Sequence, residues 1–259
     1  MATVVVTGAS MGIGRAIARA WAEEDKGVTL VLSARKAAEL EEVAREVEGL
    51  GARAVIVPGD VTVEAHRAEL VARAAQTGSL DVLVNNAGRG FYAPFDEVDL
   101  DELRSLFELN VIAPLRLSQL ATPHLERARG SVVMMSSIAG VVAAPKYAAY
   151  AASKFALEAI AMSMRAELAE RGVRVVVVRP GPVDTPFRAN ATKSDGVTGF
   201  DAPDPKAQRA EDVARMVVRA GRRGTPVLET SAYVRMASAA ARIAPWTVRT
   251  ALRRMAAQR

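Results

Sequence analysis

A chain of 259 residues, half of them hydrophobic, is long enough to bury a substantial core without disulfide or metal staples. It has no cysteine and only two histidines, His66 and His124, which excludes disulfides, Cys-based zinc sites and thiol nucleophiles and argues against a His-rich metal site or a Ser-His-Asp triad. The formal charge of +5 is uneven: residues 201–259 carry twelve Lys/Arg against five Asp/Glu, leaving −2 on residues 1–200, which gives no support for a nucleic-acid footprint over the main domain.

The first predicted strand is TVVVT at 3–7. It starts too early for a signal peptide to precede it, and a cytoplasmic protein is expected. A helix from about 12, VTLVLS (28–33), a helix to about 49, RAVIVP (53–58), a helix over 62–76 and DVLVNN (81–86) follow. Then come a long helical stretch (about 100–127), SVVMMSS (131–137), a helix through Tyr150, and VRVVVVRP (173–180). Strands apolar on both faces, alternating with helices, predict a doubly wound parallel sheet with helices on both faces, a single Rossmann-like α/β domain. Residues 187–205 contain two Gly and two Pro and follow neither period, which reads as a mobile substrate loop. A helix at about 207–221, a short strand near PVLE (226–229) and a basic helical tail over 230–259 complete the chain. Both histidines fall in helical stretches and are expected at the surface. No run approaches the ~20 apolar residues of a membrane-spanning helix.

The first strand runs into TGASMGIG, Thr7 to Gly14, and then a helix. A glycine-rich turn that opens a helix offers free N–H groups and the positive helix end to a pyrophosphate. Gly8 permits the tight turn, Gly12 the close approach of phosphates, and Gly14 the packing of helix on strand. The same residues would also serve a plain tight β–α connection. At the end of the second strand, where a site specific for the ribose 2′-hydroxyl would carry Asp or Glu, Ala34 and Arg35 stand instead. The Arg35 guanidinium suits a 2′-phosphate in a bidentate fork; it can equally be a solvated helix start, as can Lys36. Asp60, in PGDVT, can accept an adenine amino group or cap the next helix.

Tyr150 and Lys154 stand at i and i+4 on one helical face. Free tyrosine titrates near ~10, and a neighbouring ammonium is expected to lower that value into the range of a general acid. Taken alone, the pair also fits a buried aromatic beside a solvated lysine.

With TGASMGIG, NNAG (85–88), the Ser137/Tyr150/Lys154 set and PGPVDT (180–185) in order, the chain resembles the short-chain dehydrogenase/reductase family, closely over 3–186 and loosely beyond. In that family the catalytic serine precedes the tyrosine by thirteen residues, which selects Ser137 over Ser136, and the catalytic asparagine matches Asn110. The resemblance implies that Tyr150 is the acid or base, that Ser137 bonds the carbonyl oxygen, that Lys154 lowers the tyrosine pKa and holds the nicotinamide ribose, and that Asn110 supports a water relaying protons to Lys154. Tyr147 lies about 10 Å along the axis from Lys154, too far for that ammonium to act on it. The implied cofactor contacts are Gly8, Ser10, Met11, Gly12, Ile13 and Gly14; Arg35, Asp60 and Val61; Asn86, Ala87 and Gly88; and Pro180, Gly181, Val183 and Thr185, beside Tyr150 and Lys154. Arg35 favours NADP(H) over NAD(H), although Met11 stands where phosphate-preferring members often carry Arg or Lys. The chain also lacks the DGG-like ending of one branch, so only a homo-oligomer is implied, a dimer built on the helices bearing Asn110 and Tyr150.

The expected activity is reduction of a carbonyl, or oxidation of a secondary alcohol, on an apolar small molecule, with Phe91, Tyr92, Ala143, Pro182, Phe187 and Phe200 as candidate pocket residues. A nucleotide-sensing binding protein on the same fold is the alternative from another class; it has no use for Asn110, Ser137, Tyr150 and Lys154 together. A peripheral membrane enzyme acting on a lipid ketone is a third reading. Its discriminating feature is the tail, where Val248, Leu252 and Met255 share a face with Arg249, Arg253 and Arg254 alongside. Pro245 is expected to start a separate short helix there, and its apolar stripe to pack on the protein rather than on a membrane.

Overall fold

The computed structural model describes residues 2–195, 197, 204 and 207–257. Seven strands, β1 (Thr3–Thr7), β2 (Thr29–Ala34), β3 (Arg53–Pro58), β4 (Val82–Asn85), β5 (Ser131–Met135), β6 (Arg174–Arg179) and β7 (Val227–Glu229), pair in parallel in the order 3-2-1-4-5-6-7. The helices are α1 (Gly12–Glu24), α2 (Ala37–Gly49), α3 (Glu64–Ala75), α4 (Leu100–Phe107), α5 (Ala113–Ala128), α6 (Ala148–Leu168), α7 (Ala210–Arg223), α8 (Ala232–Ile243) and α9 (Pro245–Ala257).

The strand alternation sorts the core into two layers. Val4 and Val6 of β1 face α1, α2 and α7, packing with Ile17, Trp21, Leu40, Val213 and Val217. Val5 points the other way, into Leu70, Leu117 and Leu157 of α3, α5 and α6. Each such large side chain contributes about 1.5–3 kcal/mol when fully buried. Strand order reverses between β1 and β4, so the crevice beyond their carboxyl ends is the place where such a sheet takes a ligand.

Local chemistry accounts for the boundaries that differ from expectation. α3 starts at Glu64 because Asp60 first closes a turn, its Oδ1 accepting from the Thr62 amide and hydroxyl at 2.9 and 2.8 Å. α7 starts at Ala210 because Gln208–Arg209 pair in parallel with Val183–Asp184. The long helix is interrupted by a π turn at Glu108–Ile112: Pro114 has no N–H for the Asn110 carbonyl four residues back, and the Ala113 amide bonds Glu108 instead.

Three expectations are corrected. His66 is buried rather than at the surface, its Nε2 at 2.9 Å from Ser33 Oγ beneath Gly59, and burial lowers its pKa; His124 is half-buried beside Arg127. Within the segment read as a loop over 187–205, Thr192–Lys193 run parallel to Phe91–Tyr92, and residues 196, 198–203 and 205 lie outside the described residues. The tail does break at Pro245, but its stripe is not covered by the body of the protein. Val248 and Leu252 are half-buried, Met255 is exposed, and no residue of 245–256 is fully buried.

Candidate active site

A cleft of about 720 Å³ opens at the carboxyl ends of the strands. Its floor is the turn after β1. Gly8 and Gly12 sit at φ +63° and +54°, left-handed backbone that glycine adopts without strain, and a methyl group on Gly14 would overlap the Gly8 carbonyl. Met11, just before α1, provides no side-chain cap, and the first turn holds no acidic residue, which leaves backbone N–H groups free at the cleft. Ser10, Met11 and Ile13 line it too. Across from them, Thr7 Oγ1 accepts the amides of Asn86 and Ala87 at 3.0 Å each, while Asn86 Nδ2 donates to the Thr7 and Gly8 carbonyls at 2.9 and 3.2 Å. Asn86 therefore ties β1 to β4 with its side chain.

Arg35, exposed at the end of β2, lines one end of the cleft with Asp60 and Val61. So does Glu39, whose carboxylate accepts from Lys36 Nζ at 2.7 Å and lies below its usual pKa chiefly through that bond. Pro180, Gly181, Val183 and Thr185 form the opposite wall.

At the far end, α6 brings Tyr150 and Lys154 against the turn after β5. Tyr150 and Ser137 line the cleft together, and Ser137 Oγ accepts the Ala139 amide at 3.1 Å. Lys154 Nζ donates to the Met135 carbonyl at 2.8 Å and lies 5.8 Å from the Tyr150 ring centre. Asn110 stands behind this wall, 1 % exposed and off the cleft surface. Its Oδ1 accepts the Arg89 amide at 3.1 Å, and its Nδ2 donates to the Arg89 carbonyl at 3.0 Å and to Ser153 Oγ at 3.1 Å.

This arrangement has counterparts. Residues 2–196 match the family model described as short chain dehydrogenase. The chain belongs to the short-chain dehydrogenase family. Among its curated relatives are mouse (Mus musculus) dehydrogenase/reductase SDR family member 7B, 34 % identical over 253 residues, 94 % of this chain and 78 % of the relative, and an uncharacterized oxidoreductase of Methylorubrum extorquens, 37 % identical over 218 residues, 82 % of this chain and 87 % of the relative. A solved structure of an alcohol dehydrogenase from the archaeon Thermococcus sibiricus, complexed with 5-hydroxy-NADP, superposes with a TM-score of 0.77 at 28 % identity, covering 88 % of this chain and 94 % of that one. The oxidoreductase class and the Rossmann-like fold follow.

Electrostatics in this short-chain dehydrogenase reverse one expectation. Burial pushes Tyr150 up to about 12, against the opposing pull of the nearby Ser137 hydroxyl, and Lys154 down to about 8, against the attraction of Glu158. Lys154 does not bring the phenol below its ordinary value; loss of water around both groups outweighs their mutual influence. Glu158 is itself held by the buried Arg179 guanidinium at 2.9 and 2.8 Å.

On the substrate side, Tyr92, Pro182 and Phe187 line the cleft as expected, with Tyr147 added. The Tyr92 and Tyr147 ring centres lie 4.8 Å apart, and Phe187 stands 5.8 Å from Tyr150. Phe91 instead packs with Leu106 and Ala149 in a small core, because the next residue, Tyr92, takes the cleft face of the same two-residue strand. Ala143 is exposed and away from the cleft, and Phe200 lies outside the described residues. Arg89, Arg188, Ser136 and Glu39 line the cleft without any sequence signal beyond the neighbouring motifs; Ser136 Oγ is buried with no hydrogen-bond partner among the described residues.

Proposed function

We propose that this short-chain dehydrogenase is an NADP(H)-dependent oxidoreductase that moves hydride between a nicotinamide and the carbonyl or secondary alcohol of an apolar small molecule. The observation that carries the reading is that Ser137, Tyr150 and Lys154 line the same cleft as the glycine turn after β1.

The residues present fit a nicotinamide dinucleotide. The uncapped start of α1 and the left-handed Gly8 and Gly12 suit a pyrophosphate. Arg35 suits a 2′-phosphate, Asp60 and Val61 an adenine, Lys154 with Asn86, Ala87 and Gly88 the ribose end, and Pro180, Gly181, Val183 and Thr185 the nicotinamide. Bound there, the cofactor supplies the hydride.

The chain supplies the proton and the orientation. Tyr150 holds its proton at Oη at neutral pH, so it acts as the acid of a reduction. The Ser137 hydroxyl, its oxygen fixed by the Ala139 amide, donates to the carbonyl oxygen where negative charge accumulates. Lys154, anchored on the Met135 carbonyl, keeps a positive charge beside the ring. Asn110 is a positioning residue that holds the 86–89 loop and the start of α6. Arg89 and Arg188 are paired with Glu102 and Asp204, at 2.8 and 3.5 Å, which leaves the aromatic wall to dominate substrate contact and supports an apolar substrate. A homodimer belongs to the same reading; Ile112, Phe155 and Met162 are exposed around the helices it would use.

The test is oxidation of NADPH and of NADH against a panel of ketones and quinones. Turnover of apolar ketones with NADPH preferred is the expected result. NADH used at least as well would overturn the cofactor, and no turnover with any carbonyl the activity.

A further inference from the structure

The C-terminal pair of helices presents an apolar and basic surface that the redox chemistry does not use. α8 is seated by Val234 and Ser238, its only buried residues, and a Cβ built on Gly181 of the cleft wall would lie 3.0 Å from Val234 Cγ2. The hairpin therefore begins at the rim of the cleft. On another face of α8, Tyr233, Met236, Ala240 and Ile243 recur at helical spacing, and Tyr233, Met236 and Ile243 are 54, 71 and 78 % exposed. Beyond Pro245, Trp246 is 60 % and Met255 46 % exposed. The remaining exposed large apolar residues among the described ones are scattered over the rest of the chain, whereas these five fall within 23 residues.

Charge identifies what this face can meet. Residues 230–259 contain six arginines and no acidic residue. Arg235, Arg242, Arg249, Arg253 and Arg254 are all exposed, and none makes an ion pair among the described residues. A second copy placed on the face by a two-fold axis would press these arginines against their own equivalents. An anionic lipid surface satisfies both properties at once: apolar side chains enter the acyl boundary, a tryptophan sits at headgroup depth, and guanidinium groups meet the phosphates. No helix among the described residues is long and apolar enough to cross a membrane, so the contact lies on the surface.

We propose that α8 and α9 dock this protein on anionic lipid membranes, through the face bearing Met236, Ile243 and Trp246 and its flanking arginines. The docked face places the cleft rim at Gly181 close to the bilayer, where an apolar substrate would enter; only this last point rests on the proposed reaction, and the docking does not.

The chain carries its own reporter. It has two tryptophans, Trp21, 2 % exposed in the core, and Trp246 on the face. The full-length protein is mixed with vesicles of phosphatidylglycerol and phosphatidylcholine, or of phosphatidylcholine alone, and followed by co-sedimentation and tryptophan emission. Binding and a blue shift with the anionic vesicles, weakened more than about tenfold by raising salt from 0.05 to 0.5 M or by Arg249→Glu/Arg253→Glu/Arg254→Glu, are expected. Met236→Ser/Ile243→Ser should release the protein as well without altering its charge, and Trp246→Phe should remove the blue shift while sedimentation persists. Equal binding to both vesicles, no binding to either, or a Trp246 blue shift without vesicles accompanied by a rise in molecular mass would overturn the proposal, the last in favour of a second copy. Melting temperature, set by the core around Trp21, reports that each variant is folded.

Discussion

Asn110 exchanges two hydrogen bonds with the backbone of Arg89, accepting from its N–H at 3.1 Å and donating to its carbonyl at 3.0 Å. A side chain in the π turn thereby imitates a neighbouring strand for the loop that carries Asn86, Ala87 and Gly88 past the cleft. A methyl group on Gly88 would stand 3.0 Å from Asn110 Oδ1, so loop and amide are also in steric register.

Asn110→Leu removes both bonds and the one to Ser153, leaving buried polar groups unpaired at about 1–3 kcal/mol each. Melting temperature should fall, and the KM for cofactor should rise by more than kcat drops. Asn110→Asp, which can still accept from the Arg89 amide, should recover part of the loss. A kcat collapse with unchanged cofactor KM would instead assign Asn110 to proton transfer.

Tyr150→Phe keeps the ring against Tyr92 and Phe187 and removes only the proton donor. Turnover should drop by about 10²–10⁴-fold, with cofactor affinity, read by fluorescence titration, within a few-fold of wild type. Near wild-type kcat would defeat the assignment.

Lys154 makes stability depend on pH in a definite direction. Its pKa is lowered from 10.5 to about 8, so between those values the unfolded chain binds a proton that the folded chain has released. Stability therefore rises with pH across that window, and the burial penalty is complete below it. Lys154→Met lacks the penalty: relative to wild type its melting temperature should stand highest near pH 7 and lose that advantage by pH 10. A difference independent of pH would mean that the lysine titrates normally.

In the proposed reading, two side chains of opposite sign on one wall set the cofactor choice. Arg35→Ala should weaken NADPH at least about tenfold and leave NADH nearly unchanged, as expected for loss of a charge-assisted fork worth ~1.5–3 kcal/mol. Glu39→Gln removes the carboxylate that occupies Lys36, and should lower the KM for NADPH several-fold. Steady-state kinetics with both nucleotides decide each; an Arg35→Ala variant that loses both equally would show that the arginine serves the fold.

Much of the site is written in short-range order. Glycines at 8, 12 and 14 between a strand and a helix, and Tyr150 one turn before Lys154, are local spacings that the backbone converts directly into geometry, and the strands followed them to within a residue or two. What could not be read locally depends on partners far along the chain. Asn110 meets the backbone of Arg89, twenty-one residues away, and His66 reaches Ser33 from thirty-three residues away.

The alternation of strands and helices and the order of the site motifs are legible in the chain alone, because hydrophobic period and glycine placement act over a few residues, whereas strands apolar on both faces leave open which layer each face joins. Only the tertiary structure decided which residues lose their water. Desolvation raises Tyr150 and lowers Lys154 although the two stand a turn apart, because it is set by everything packed around them. The same holds in reverse at the tail, where the pattern alone would bury the whole apolar stripe but Val248 and Leu252 are only half-buried and Met255 is exposed.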